Sequence, residues 1–284
     1  MSRKIRPAIF ARLGWYPENR DECERMIKKW SQNGVEIRSS ELIRGIGGIV
    51  PHAGWFFSGE IACTVFRCLS EITEPDTVVI FGKHLSPGSR KSIMVEGYWE
   101  TPFGEIEIDS ELAQRIIEGE DFLIESPTYF EEDNTIELQL PFVKYFFPSA
   151  KLVPIGAPPT KDMLYIARKI AFLCGSRCVI AIGSTDLTHY GPNYGFMPAG
   201  IGAPALQWSR QNDKRIIEKM LELDPEGVIE EALENHNACC PGAAASAICM
   251  VKELGATRGE ILMYATSYEK SPGPSFVGYV GTIF

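Results

Sequence analysis

The chain holds four histidines, and three of them stand at or just beyond apolar runs: His52 after "GGIV", His84 after "VVIFG" and His189 in "IGSTDLTHYG". A single histidine is ordinarily a hydrogen-bonded core or surface residue. Three in such positions argue for a shared role, because imidazole is both a common metal ligand and the side chain that titrates nearest neutrality. Two neutral imidazoles and one anionic ligand on a single face, with open positions, suit non-haem Fe(II). The anion has two sources, Asp186 three residues before His189 and the Cys239-Cys240 pair in "ENHNACCPGAAASA". A helix N-terminus or a nearby cation lowers a thiol's pKa, so this pair is better poised as thiolate than a cysteine in mid-helix, although packing alone would also account for it. His236 is a potential partner for Cys239 but sits on an acidic helix end, where a solvated cap is the simpler role.

Side chains so far apart in sequence need a frame that brings them together. "IRGIGGIV", "DTVVIFG", "KLVPIGA", "RCVIAIGST" and "EILMYAT" read as strands, separated by helical patterns such as "SGEIACTVFRCLSEI", "TKDMLYIARKIAFLCG" and "CPGAAASAICMVKELG". That alternation implies an α/β fold, a mostly parallel central sheet flanked by helices, in a single domain over residues 1–284. In an open parallel sheet ligands gather beyond the carboxyl ends of the strands, where His52, His84 and His189 are expected.

Other segments fill in the frame. "NRDECERMIKKWSQNG" sets Cys23, Met26, Ile27 and Trp30 on one helical stripe with Gly34 as the stop. "NTIELQLPFVKYFFP" reads as a helix that Pro141 would kink. Two helices are expected between Leu206 and His236, the second opened by Asp224 as N-cap and Pro225 at its first position. "SFVGYVGTIF" reads as a closing strand.

Composition narrows the function further. The balance of 28 Lys+Arg against 37 Asp+Glu gives a net charge of -9, which argues against a nucleic-acid binder and against an anionic-membrane binder. The basic N-terminus lacks the apolar core of a secretion signal and no later run has bilayer length, so a cytoplasmic location is expected. Eight cysteines there are expected to be reduced, and most to be small core residues. Cys174 and Cys178 lack a second pair at zinc-finger spacing, and "GIGG" precedes its strand where a dinucleotide fingerprint would follow one.

"RPAIFARLGWYPENRDECERMIKKW", "GIVPHAGWFFSG", "TPFGEIEID", "TIELQLPFV", "GSTDLTHYG" and "NACCPGAAASA" follow one another in a pattern that resembles the Memo family, whose prokaryotic members are called AmmeMemoRadiSam system protein B. The likeness runs from Arg6 to Phe284. It implies a fold like that of class III extradiol ring-cleaving dioxygenases, in which two histidines and a glutamate hold Fe(II), here with a cysteine as third ligand. The ligands then fall on His52, His84 and Cys239, and the family's D-x-x-H pair on Asp186 and His189. The metal implied is Fe(II), with Cu or Zn as alternatives, and the family association implies an AMMECR1-like protein and a radical-SAM protein as partners.

Four departures surround that pocket. The family's G-P-x-H is Phe81-Gly82-Lys83-His84, its His-Ser pair is Asn134-Thr135, its aromatic after P-H-A-G is Trp55 instead of tyrosine, and its Cys-Gly is Cys239-Cys240, which leaves open which cysteine is the ligand. Two functions follow. In one, an O2-dependent oxidoreductase acts on a small flat or apolar substrate, His189 moving protons, Asp186 orienting His189, and Trp15, Trp55 and Tyr190 walling the pocket. In the other, the oxidisable thiolate and its taste for softer metals point to a metal-binding or peptide-binding protein without turnover. A third, metal-free alternative uses Cys239 as nucleophile with His189 as base and Asp186 behind it.

Overall fold

The computed structural model describes residues 4–32 and 46–284, so Gly34 and the beginning of "IRGIGGIV" lie outside the described residues. In chain order the strands are β1 (Ile5–Arg6), β2 (Gly47–Val50), β3 (Thr77–Gly82), β4 (Ser92–Met94), β5 (Tyr98–Trp99), β6 (Ile106–Glu107), β7 (Leu123–Glu125), β8 (Lys151–Gly156), β9 (Val179–Ser184), β10 (His189–Tyr190), β11 (Glu260–Thr266) and β12 (Phe276–Ile283). The helices are α1 (Ile9–Arg12), α2 (Arg20–Ser31), α3 (Trp55–Ile72), α4 (Ser110–Ile117), α5 (Asn134–Glu137), α6 (Leu140–Phe146), α7 (Lys161–Cys174), α8 (Ala203–Leu221), α9 (Pro225–Asn235) and α10 (Pro241–Glu253).

The large sheet runs β10-β12-β2-β9-β3-β8-β4-β7, with β11 also on β12. Its centre, β2-β9-β3-β8, is parallel throughout, as the alternating pattern implies. The margins differ. β12 is antiparallel to β2, β10 and β11, and β4 is antiparallel to β8.

Strand residues alternate between two cores, the period-2 geometry of a sheet covered on both faces. Val79, Phe81, Val153, Ile155 and Ala181 join residues of α4, α7, α8, α9 and α10 on one face. Val78, Ile80, Leu152, Ile180 and Ile182 join α2, α3 and α6 on the other.

Two local outcomes bear on the site. The segment around Pro141 is two helices, not one kinked helix: α5 ends at Glu137, and Pro141 is the second residue of α6, in the first turn, where its missing N–H costs nothing. Helix α3 starts at Trp55 and so takes in the aromatic residues behind His52. As expected, Asp224 caps α9, accepting a hydrogen bond from Gly227 N–H at 3.0 Å.

Candidate metal centre

β9 lies between β2 and β3, with Val50 paired to Ser184 and Phe81 to Gly183. His52, Asp186 and His84 therefore leave three neighbouring strands at one edge of the sheet. Cys239 reaches them from the start of α10, whose close approach needs glycine: a Cβ on Gly183 would lie 3.0 Å from the backbone of Ala243 and Ala244, and one on Gly242 only 2.2 Å from Ala157 O. Backbone bonds complete the junction, Cys239 N–H to Asp186 O at 3.1 Å and Cys240 N–H to the Thr185 hydroxyl at 3.1 Å.

The result brings His52, His84, Cys239 and Cys240 together, with one potential ligand atom from each inside 4.8 Å of the others. Cys239 Sγ is 3.2 Å from His52 Nε2 and 3.7 Å from Cys240 Sγ, and the two imidazole rings meet edge to face at 5.0 Å. Second contacts fix the rings. Ser184 donates its hydroxyl to Thr135 O at 2.7 Å, so its oxygen is an acceptor for His52 Nδ1–H at 3.0 Å. Asp133 Oδ2 accepts from His84 Nδ1 at 3.0 Å and from His84 N–H at 3.1 Å. Both rings thus present Nε2 to the cluster, the tautomer a metal ligand needs.

Charge reinforces the arrangement. Burial opposes ionisation of Cys239, but the Cys240 thiol and the imidazoles of His52 and His84 outweigh it and hold the Cys239 thiol well below its ordinary value. Burial and the neighbouring Cys239 push Cys240 the other way. His52 is raised despite its burial, by Asp186 and Cys239. The His84 imidazole, also against the desolvation cost, is lifted to about 10 by hydrogen bonds with Asp133 and Cys239. A thiolate with two imidazoles of fixed tautomer fits a soft or borderline transition metal.

A cavity of about 1010 Å³ opens over the histidines, lined among others by Trp15, Phe56, Phe57, His189 and Tyr194. The expected site residues divide. Trp15 is an exposed wall, whereas Trp55 only borders the cavity: it is 1% exposed, stacks on Phe142 at 4.4 Å and donates its indole N–H to Leu138 O. Tyr190 is not on the cavity. His189 and Tyr190 are consecutive residues of β10 and must point to opposite faces, so with His189 toward the cavity Tyr190 is fully buried against Phe276.

Asp186 does not orient His189. Its Oδ1 accepts the His52 backbone N–H at 2.7 Å, and the His189 ring instead donates Nδ1–H to Leu187 O at 3.0 Å. That leaves His189 Nε2 as the ring's acceptor. Ser184 and Asp133, which the sequence argument missed, prove to be the groups that orient imidazoles. Asp133 had a signal in sequence, since Asp before "NTIE" has the form of a helix N-cap, and it accepts from Thr135 N–H at 2.9 Å. Asn134 and Thr135 are braces: Asn134 donates to His52 O at 2.8 Å, and Thr135 Oγ1 accepts from Lys83 N–H at 2.6 Å.

Comparison with known proteins bears on the whole chain. The family model for Memo-like protein matches residues 6–283. The chain belongs to the Memo family. Among Memo relatives, a MEMO1 family protein of Pyrococcus furiosus is 32% identical over 98% of each chain, and one of Thermococcus kodakarensis is 35% identical over 95% of this chain and 96% of the relative. This Memo chain also shares its fold with an uncharacterized protein of Escherichia coli K12, at a TM-score of 0.52 and 10% identity over 84% of this chain and 99% of that one. Among the described residues, no helix is long and apolar enough to cross a membrane.

Proposed function

We propose that this Memo protein is a mononuclear Fe(II) oxidoreductase of the dioxygenase-like type, with His52, His84 and Cys239 as ligands and a small organic substrate in the cavity of about 1010 Å³. One observation carries the proposal: His52 and His84, which both line that cavity, have Nδ1 tied to an oxygen acceptor, while Cys239 lies 3.2 Å from His52 Nε2. Bound Fe(II) would supply open coordination positions for substrate and O2. The chain's own residues do the rest. Trp15, Phe56 and Phe57 offer apolar surface to a flat substrate, and His189, held through Nδ1, keeps Nε2 free to take a proton inside the cavity.

Nitric oxide added to the anaerobic Fe(II)-loaded protein tests this. The expected result is the electron paramagnetic signal of a high-spin iron nitrosyl, perturbed by a bound catechol. Iron that binds without any nitrosyl signal would overturn the proposal.

A second reading rests on Cys240, whose sulfur belongs to the same cluster. If both thiols coordinate, two imidazoles and two thiolates close a tetrahedral shell suited to Zn or Cu(I). The chain would then be a metal-binding protein whose cavity receives a peptide partner. In that case Cys240→Gly would create nitrosyl binding that the native chain lacks.

A further inference from the structure

The Cys239-Cys240 pair has a property that metal binding does not use. Cys239 borders a second cavity of about 370 Å³, lined also by Leu187, His189, Phe196, His236 and Ala238. His189 and Tyr194 line both cavities, so they separate the broad approach to the histidines from a narrower approach to the sulfur. Through the second cavity Cys239 is open to a small reagent, while Cys240 behind it is 1% exposed. Geometry places the Cys239 sulfur within reach of its neighbour: Asp186 N–H points at it from 3.3 Å, His52 Nε2 lies at 3.2 Å, and Cys240 Sγ lies at 3.7 Å.

We propose that Cys239 and Cys240 form a peroxide-reactive redox couple, which closes reversibly to a vicinal disulfide and in doing so withdraws Cys239 from the metal site. This goes beyond metal binding and holds for the metal-free chain. Cys239 sulfur attacks one oxygen of hydrogen peroxide or an alkyl hydroperoxide: the S–O bond forms, the O–O bond breaks, and the departing hydroxide or alkoxide takes the Cys239 thiol proton and leaves as water or alcohol through the second cavity. Cys240 sulfur then attacks Cys239 sulfur: the S–S bond forms, the S–O bond breaks, and the Cys240 proton leaves with the hydroxide as water. Two thiol sulfurs supply the two electrons that reduce the peroxide.

Reversibility follows from chain geometry. Consecutive Cα atoms are about 3.8 Å apart, below the usual range of about 4.4–6.8 Å for disulfides, so the bond is strained and easily reduced. Strained disulfides of this kind are the labile, regulatory ones. Cys178, the exposed cysteine, hydrogen-bonds Thr73 at 3.2 Å, away from this pair.

The test exposes metal-free native, Cys240→Gly and Cys240→Ser chains to hydrogen peroxide and reads the mass of the peptide that holds residues 239 and 240. The native peptide is expected to lose two hydrogens and to regain them with dithiothreitol, while both variants gain oxygen atoms on Cys239. Native protein that gains oxygen without losing hydrogen, or that links Cys239 to another cysteine, would overturn the couple. Repeating the native exposure with metal loaded should release the metal in proportion to disulfide. Metal retained by the oxidised chain would refute the withdrawal of Cys239, and because the metal-free arm needs no bound iron, these outcomes stand apart from failure of the Fe(II) proposal.

Discussion

His52 and His84 face the same sulfur but are fixed by opposite means. His52, 2% exposed, stands two residues beyond a central parallel strand, its backbone bonded to Asp186 and its ring to Ser184 on the neighbouring strand. His84, with a side chain 45% exposed, stands beyond Lys83, whose backbone adopts the left-handed conformation at φ 71. What holds that loop is charge. Lys83 and Arg6 both pair with Glu125, and all three side chains are at most 5% exposed. The sheet's register therefore supplies one ligand, and a buried ion cluster reaching back to the start of the described chain supplies the other.

The largest effect should come from breaking that cluster. Glu125→Ala leaves two buried cations without their shared anion, a change that costs about 3–5 kcal/mol. Denaturant unfolding should show that loss, and spectroscopy of the metal-loaded variant should show the His84 environment altered more than that of His52. An unchanged midpoint would mean the cluster is not what braces the loop.

Ser184→Ala attacks the other side. It removes the acceptor that sets the His52 tautomer, and loss of such an outer contact weakens metal binding about 10–100-fold. Metal titration against a competing chelator measures this. Asp133→Asn should fall toward the low end of the same range, because the half-exposed His84 ring can recruit water in place of a carboxylate. If the two substitutions weaken binding equally, the distinction between a rigid and a braced histidine fails.

The smallest effect is on pH dependence in the metal-free chain. His84 is raised to about 10, so the stability its charged form contributes is fully present below the ordinary histidine value, about 6.5, and is lost as pH rises through about 10. Asp133 is held below its ordinary value, against burial, by His84 and Thr135, so its contribution is present above the usual carboxylate range and is lost in strong acid. Both describe one pair. Melting temperature of the native chain minus that of Asp133→Asn should therefore be greatest near neutrality and shrink on either side. A difference that stays flat across pH would contradict the pairing.

Much of this was legible in the sequence, for identifiable reasons. His52 and His84 follow strand-forming runs, and ends of adjacent parallel strands meet at one edge, so their convergence could be argued without coordinates. Cys239 was legible as one of two sulfurs at a helix start. Hydrogen-bond partners were not legible, because Ser184 lies 132 residues from His52 and meets it only through the β2–β9 register. Tyr190 was misplaced for a reason the sequence did contain: a strand that turns His189 inward turns its neighbour outward, and Tyr194, four residues later, is the ring on the cavity. The expected Asp186–His189 contact failed because spacing in sequence ignored the closer claim of the His52 backbone.

The measurement that bears most directly on the account is element-resolved metal content of anaerobically purified protein, for the native chain beside His52→Ala, His84→Ala and Cys239→Ala. The account predicts near-stoichiometric iron in the native chain and its loss from all three variants, with folding retained by circular dichroism. A native chain without metal, or metal held equally by the variants, would contradict it.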